Sequence, residues 1–432
     1  MRGIIDVTER GVTGDGVTNN TALLRTITKE MTHGGILYFP AGEYVTVSIF
    51  LESDTTLYLA PGAVLLGSDD PEDFPLPDHE RIPGYTRGTR HGIIAAVNAK
   101  NITIEGGGAI DGRGWFWWNR EGVFADEFGH RPRCIQPLFC ENVKIKDISI
   151  RNSPSWTIHP LCCRHVLVSG VNICNPYKSP NTDGINPEGC ADVRIVGCSI
   201  DVGDDCVTIK AGAEGDPFHV DHPCENITVT GCTMLHGHGG VVIGSEMSGG
   251  VRNVVVSGCV FNGTDRGVRI KTRRRRGGVV EDLLFTDIIM KDVQVPFTVN
   301  EHYMCGAKPE DEAELFTREA RPVDETTPVI RDVTIANIIA RGCRCNPMYL
   351  LGLPEAKLSG IRVSNFAAEM SNPEGVRRVP VMARNIAKTS EEGLYAENIC
   401  DSVFENIRLT GVRGAETEFV SCDRVIWNGK EI

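Results

Sequence analysis

The sequence predicts an all-β, single-domain, right-handed parallel β-helix with one helix capping its N-terminal end. Three observations lead there. A short strand motif returns along most of the chain, cysteines recur in one context of that motif, and amphipathic helices between the repeats are nearly missing.

The motif opens on Asn101, Asn142, His165, Asp192, Asn226, Asn253, Asp282, Asp332 and Asn406. Each opener leads an alternating aliphatic run, as in Asn101-Ile102-Thr103-Ile104 and Asp192-Val193-Arg194-Ile195. Period-two alternation with β-branched residues is the pattern of a strand with one buried face. Between Asn142 and Asp282 successive openers stand 23 to 34 residues apart. That spacing suits one coil of a solenoid in which every strand stacks on its equivalent in the next coil. Longer gaps predict loop insertions near 113–133 and 303–327, within coils that run over 36–410.

Three motifs continue into Gly197-Cys198, Gly231-Cys232 and Gly258-Cys259, so equivalent thiols stack inside the coils as small hydrophobes. The chain has 16 cysteines but no CxxC pair, which fits structural thiols in a reducing compartment better than zinc or disulfides. The rival architecture, a run of βαβ units, needs a helix per repeat. Only one segment qualifies: Leu23, Leu24, Ile27 and Met31 share a helical face, with Asn19 or Asn20 placed to cap it. A helix within residues 1–35 would cover the open edge of the first coil. Residues 411–432 form the C-terminal segment.

The formal net charge of −13 argues against a general nucleic-acid or membrane-surface binder. No run approaches the roughly 18 apolar residues of a membrane span. The start, Met1-Arg2-Gly3-Ile4-Ile5-Asp6, lacks an apolar core followed by a cleavage site, so a cytoplasmic protein is expected.

The densest polar constellation lies in the middle coils. In order it comprises Asn181-Thr182-Asp183-Gly184, Gly203-Asp204-Asp205, Gly237-His238-Gly239 and Arg269-Ile270-Lys271. Asp183 and the Asp204-Asp205 pair are about one coil apart, so stacking brings their carboxylates to one face. Close carboxylates push their proton affinities apart, leaving one as an acid and another ionised. Breaking a glycosidic bond needs that pair. A histidine one coil on would tune the acid, and an arginine with a lysine would grip a sugar carboxylate. Taken singly, each element reads as an ordinary turn; their order and spacing carry the joint reading.

These four elements resemble the motif set of the family-28 glycoside hydrolases, the polygalacturonase family. The resemblance extends to Gly14-Asp15-Gly16-Val17-Thr18-Asn19-Asn20-Thr21, to Gly108-Ala109-Ile110-Asp111-Gly112, and to two segments similar to those of bacterial exo-acting members, Asn152–Pro160 and Gly244–Gly250. It covers roughly residues 10 to 410 and implies a pectin-lyase-like solenoid. It also implies inverting hydrolysis of α-1,4-linked galacturonate without metal, cofactor or covalent intermediate. Carried over, Asp204 is the general acid, Asp183 and Asp205 hold and deprotonate the water, and His238 tunes the acid. Arg269 and Lys271 bind the sugar carboxylate. The partner is then an anionic pectic oligosaccharide, with no nucleic acid and no membrane.

Other candidates follow from position. Asn181, His159 and Glu246 lie in matching segments and are candidate sugar contacts. Arg273-Arg274-Arg275-Arg276 follows Lys271, and as a cationic rim it would attract a polyanion, with Arg273 foremost. Trp115, Trp117 and Trp118 would stack on sugar or pack within a loop. His302 and Tyr303, opening the 303–327 insertion, would close one end of a cleft and favour release of terminal units. The alternatives are a hydrolase of another uronate linkage such as rhamnogalacturonan fragments, a calcium-dependent pectate-lyase-type enzyme, and a non-catalytic carbohydrate-binding β-helix.

Overall fold

In the computed structural model, residues 3–75, 90–118, 131–215 and 222–432 are described. The fold is the right-handed parallel β-helix, and the chain forms two compact units, Met1–Asp205 and Cys206–Ile432.

In the first unit the motif strands pair in parallel from coil to coil. Lys100–Gly106 pairs with Glu141–Lys146, that strand with Arg164–Ser169, and the last with Ala191–Val196. Their registers align Ile102, Val143, Val166 and Val193 as one inward column, fully buried. Stacked aliphatic columns of this kind are the core of the unit, and the hydrophobic effect acts on every coil alike. A second parallel sheet joins Ile49–Phe50, Ile94–Val97 and Ile135–Leu138, and single bridges extend it through Ile158 and Ile185.

In the second unit, Cys224–Thr230, Val251–Ser257, Val279–Lys291, Val333–Cys343, Arg362–Met370 and Ile399–Thr410 form the motif ladder. A further ladder runs from Gly239–Ile243 through Arg266–Lys271, Val295–Asn300, Met348–Leu351 and Leu394–Glu397 to Thr417–Val420. The 303–327 insertion leaves this ladder after Asn300 and carries a short helix, Glu312–Leu315.

The motif openers have a common backbone reason. Asn101, Asn142, Asp192, Asn226, Asn253, Asp282, Asp332 and Asn406 all sit in the left-handed region, with φ between 51° and 61°. Asparagine and aspartate reach that conformation more readily than other side-chain-bearing residues. Their amides then bond from coil to coil. Asn142 Nδ2 donates to Asn101 Oδ1 at 2.8 Å, and Asn101 Nδ2 to Asp54 Oδ1 at 2.8 Å. In the second unit Asn406 donates to Asn365 and Asn365 to Asn337, at 2.8 and 3.0 Å.

Among the described residues no disulfide joins the cysteines, and most of them are buried. Cys198, Cys232 and Cys259 are buried as expected, and hydrogen bonding to Cys232 together with burial raises the Cys259 thiol far above its ordinary range. A second stack, absent from the sequence expectation, joins Cys140, Cys163 and Cys190. The Cys140 amide donates to Cys163 Sγ, and the Cys163 amide to Cys190 Sγ, both at 3.4 Å.

The helix spans Thr21–Glu30 with Leu24 and Ile27 fully buried, and it packs on the Ile49–Phe50 strand. Asn20 stands at the N-cap position, but its side chain caps no helix amide, and Asn19 does so instead. Asn19 Oδ1 accepts from the Thr21 amide at 3.0 Å, while the Asn20 side chain pins Thr13 and Thr18. The coils start earlier than residue 36, because Ile4–Asp6 and Asp15–Asn19 already pair in parallel with Gly35–Phe39 and Gly42–Val45. These edge strands face solvent, so they lack the buried column that made later strands recognisable. At the other end, Asp423–Trp427 extends the ladder, and Lys430–Glu431 folds back antiparallel on it.

Candidate active site

The first unit gathers the three aspartates. One carboxylate oxygen from each of Asp183, Asp204 and Asp205 lies within 4.8 Å of the others. Asp183 and Asp205 are buried, at 3% and 1% exposure, whereas Asp204 is half-buried and reaches further toward solvent. That spacing is tighter than the about 6.5–9.5 Å usual for inverting glycosidases.

Two turns bring them together. Thr182 Oγ1 accepts from the Gly203 amide at 3.3 Å, tying the Asn181–Gly184 turn to the Gly203–Asp205 turn. The Gly184 amide donates to the Asp205 carbonyl at 3.0 Å. Gly203 is required by close approach, since a Cβ there would stand 2.4 Å from the Ser179 carbonyl. Asn175 supports the turn from below by donating to Thr157 Oγ1 and the Thr182 carbonyl, at 2.9 and 3.3 Å. The Asp205 amide donates to Asp204 Oδ1 at 2.9 Å, which fixes the orientation of that carboxylate.

Arg131 is the neighbour that sequence reasoning missed. It is buried, its guanidinium donates to Asn181 Oδ1 at 2.6 Å, and it attracts Asp183 and Asp204 electrostatically. Asn181 is therefore exposed but anchored, with φ of 53°. His159 does not reach the surface. It is 1% exposed, its Nε2 lies 2.8 Å from Glu188, and its ring meets Trp156 edge-on.

In the second unit, Arg269 and Lys271 project from the same face of the Arg266–Lys271 strand, as period two requires. Both lie against Tyr303, with the cationic groups 5.7 and 5.1 Å from its ring centre. Met382 Sδ approaches Arg269 Nη2 at 3.1 Å, and the Met382 carbonyl accepts from Asn300 Nδ2 at 3.1 Å. His238 is exposed immediately before the Gly239–Ile243 strand. Glu246 is buried 3.0 Å from Lys210. Burial alone would raise its pKa, but Lys210, Arg276 and Lys271 outweigh that and hold its carboxyl well below the usual range.

The expected cationic rim is corrected. Arg273, Arg274 and Arg276 are buried, at 5%, 6% and 7% exposure. Arg273 pairs with Glu214 at 3.3 Å, Arg274 takes both oxygens of Glu355, and the more open Arg275 pairs with Asp311 and Glu314. Charges consumed by neighbouring acids staple the insertion instead of presenting a free rim. The tryptophans separate similarly. Trp117 is buried edge-on to Phe74, Trp118 Nε1 donates to the Ser153 carbonyl, and Trp115 is 41% exposed. Residues 119–130 of the 113–133 insertion lie outside the described residues. A cavity of about 970 Å³ in the second unit, flanked by Arg377, Tyr395 and Arg413, includes none of the candidate residues.

Beside the Arg274–Glu355 pair, Glu301 is fully buried and accepts from the Leu353 amide at 3.0 Å. Burial pushes its carboxyl up to about 8. The raised value means this group's stability contribution is present below about pH 4.5 and is lost as pH rises toward 8. Glu301→Gln is expected to flatten the fall of the thermal midpoint between pH 5 and 8; an unchanged slope would refute the buried, protonated assignment. His302 is buried too, its imidazole pushed down to about 3 by burial and by Arg318 and Arg274. It is packed, leaving Tyr303 as the residue of that pair that meets the cationic site.

The profile "Glycosyl hydrolases family 28" matches residues 84–379. The chain belongs to glycosyl hydrolase family 28. A second profile, "Rhamnogalacturonase A/epimerase, pectate lyase-like", matches residues 4–68 of this family-28 chain. A "Probable polygalacturonase" of Vitis vinifera is 32% identical over 372 residues, covering 84% of this chain and 73% of that protein. The "Exo-poly-alpha-D-galacturonosidase" of Dickeya chrysanthemi is 27% identical over 340 residues, covering 67% and 55%. Among solved structures, a hyperthermoactive exopolygalacturonase from Thermotoga maritima matches with a TM-score of 0.78 and 27% identity, over 95% of this chain and 92% of that one. A family-28 exopolygalacturonase from Yersinia enterocolitica has a TM-score of 0.84 at 22% identity, over 100% and 80%, a likeness of fold.

Proposed function

We propose that this family-28 hydrolase is an exo-acting polygalacturonase that trims α-1,4-linked galacturonate from short pectic oligomers in the cytoplasm. Family membership and the polygalacturonase relatives support hydrolysis of polygalacturonate. The observation that carries the reading is the aspartate trio, two carboxylates buried and one more open. Asp204, the open one, protonates the departing glycosidic oxygen, and Asp183 with Asp205 orients and deprotonates the attacking water. His238 tunes the acid. Arg269 and Lys271, set against Tyr303, take the sugar carboxylate, Arg269 by its planar fork. The many buried cysteines outside disulfides favour a reducing compartment, and cell fractionation tests that placement.

The test is chromatographic product analysis on a defined oligogalacturonate ladder with EDTA present. Saturated monomer or dimer leaving chain ends is expected. An ultraviolet-absorbing unsaturated product, or loss of cleavage with EDTA, would overturn the hydrolase reading. Random internal cutting would overturn the exo reading. The N-terminal match to a rhamnogalacturonase-type profile favours one second reading, hydrolysis of rhamnogalacturonan fragments, and those are the substrates to try if the ladder is untouched.

A further inference from the structure

We propose that Arg131 is the positioning residue of the aspartate trio, holding the turn that carries Asp183 and balancing the charge of the carboxylates. The inference rests on the reading of those aspartates as catalytic.

The geometry is specific. Arg131 is 7% exposed and spends its planar donors on three acceptors from two turns. Nη1 donates to the Pro154 carbonyl at 3.1 Å and the Pro180 carbonyl at 2.8 Å, and Nη2 donates to Asn181 Oδ1 at 2.6 Å. One rigid group thus ties the Pro180-Asn181 corner, two residues before Asp183, to the neighbouring Ser153–Ser155 turn. Asn181 holds a left-handed φ of 53°, which asparagine adopts readily, and the guanidinium bond to its Oδ1 fixes that corner in place. Arg133 stiffens the same segment. It lies over the Trp156 ring at 4.4 Å and donates to Ser155 Oγ and the Arg131 carbonyl.

The electrostatics agree with the geometry. The charged groups that interact with the guanidinium are Asp183 and Asp204, whose attraction opposes the burial cost of the cation. Asp205 completes the trio within 4.8 Å of both. Three crowded carboxylates repel, and a buried cation at their edge lets more of them stay ionised together. Arginine suits this place better than lysine, because it stays charged when desolvated and its fork reaches several acceptors at once.

The experiment measures kcat and KM on oligogalacturonate from acid to neutral pH for Arg131→Gln and Arg131→Lys, with folding followed by circular dichroism. Arg131→Gln is expected to lose about 10²-fold in kcat, the scale of a small displacement of reacting groups. Its acidic limb should also move up by about one pH unit, because the carboxylate that must be ionised has lost its cation. Arg131→Lys keeps the charge and loses the fork, so its limb should stay in place while kcat remains low. A purely structural role would lower the folded fraction and leave the limb where it is. The proposal is overturned if folded Arg131→Gln has kcat within twofold of the parent or an unmoved acidic limb. If Arg131→Gln does not fold, Arg131→Lys decides, and a kcat within twofold of the parent overturns the positioning role. Asp204→Asn measured alongside separates the two readings. Full activity there removes the catalytic assignment itself, whereas an inactive Asp204→Asn with an unmoved Arg131→Gln limb removes only the role of Arg131.

Discussion

Asp204→Asn is expected to lower kcat on oligogalacturonate by about 10²–10⁴-fold, the usual contribution of general acid catalysis. The substitution is close to isosteric. Its side-chain oxygen can still accept from the Asp205 amide, the bond that Asp204 Oδ1 makes at 2.9 Å. Asp204 is also half-buried and not part of the hydrophobic core, so the thermal midpoint should move little. A chemical defect in a well-folded protein is the expected result, read from steady-state rates together with a melting curve. Turnover near that of the parent would remove Asp204 from the acid role and move attention to Asp183 or Asp205.

The largest stability effect is expected at Arg274. Its guanidinium meets both oxygens of Glu355 at 2.6 and 2.9 Å, and it also donates to the carbonyls of Leu315 and Thr317 at 3.0 and 2.9 Å. Both partners are buried, with side-chain exposures of 7% and 4%. Removing one partner of such a pair leaves the other charge desolvated and uncompensated, so Arg274→Ala should cost about 3–5 kcal/mol. Arg275 provides the contrast within the same tetrad. Its ion pairs with Asp311 and Glu314 are open to solvent, and Arg275→Ala should cost less than about 1 kcal/mol. Urea denaturation of both variants checks the difference. Equal losses would mean that the arginine run acts through its bulk charge and not through the buried pair. Replacing Arg274 and Glu355 together by apolar residues of similar volume should recover part of the loss.

The two arginine readings also show what kind of information a sequence carries. Four consecutive arginines beside Lys271 announce positive charge, but whether that charge reaches a ligand depends on which acids lie opposite. Glu214 and Glu355, which neutralise two of them, are about 60 and 80 residues away, a pairing no local pattern reveals. The burial of His159 was hidden for the same reason: its partner Glu188 comes from another coil. Arg131 was silent for the opposite reason. It belongs to no repeat and stands at the edge of an insertion, and its importance comes only from where the chain returns it, at Asn181.

What the sequence determined by itself is what repeats or what local chemistry dictates. The period-two alternation after each Asn or Asp opener specified the strands, because a one-residue slip would turn every buried side chain outward. The openers specified the turns, because few residues tolerate the left-handed backbone that Asn142 and its equivalents adopt. The coil-length spacing of Asp183 from Asp204 and Asp205 was enough to place three carboxylates together, since stacking converts sequence period into proximity. The tertiary structure alone decided which charges are spent on each other, where the first coil begins, and which cation stands beside the aspartates. Those outcomes depend on contacts between residues far apart in the chain, which follow no period and leave no local mark.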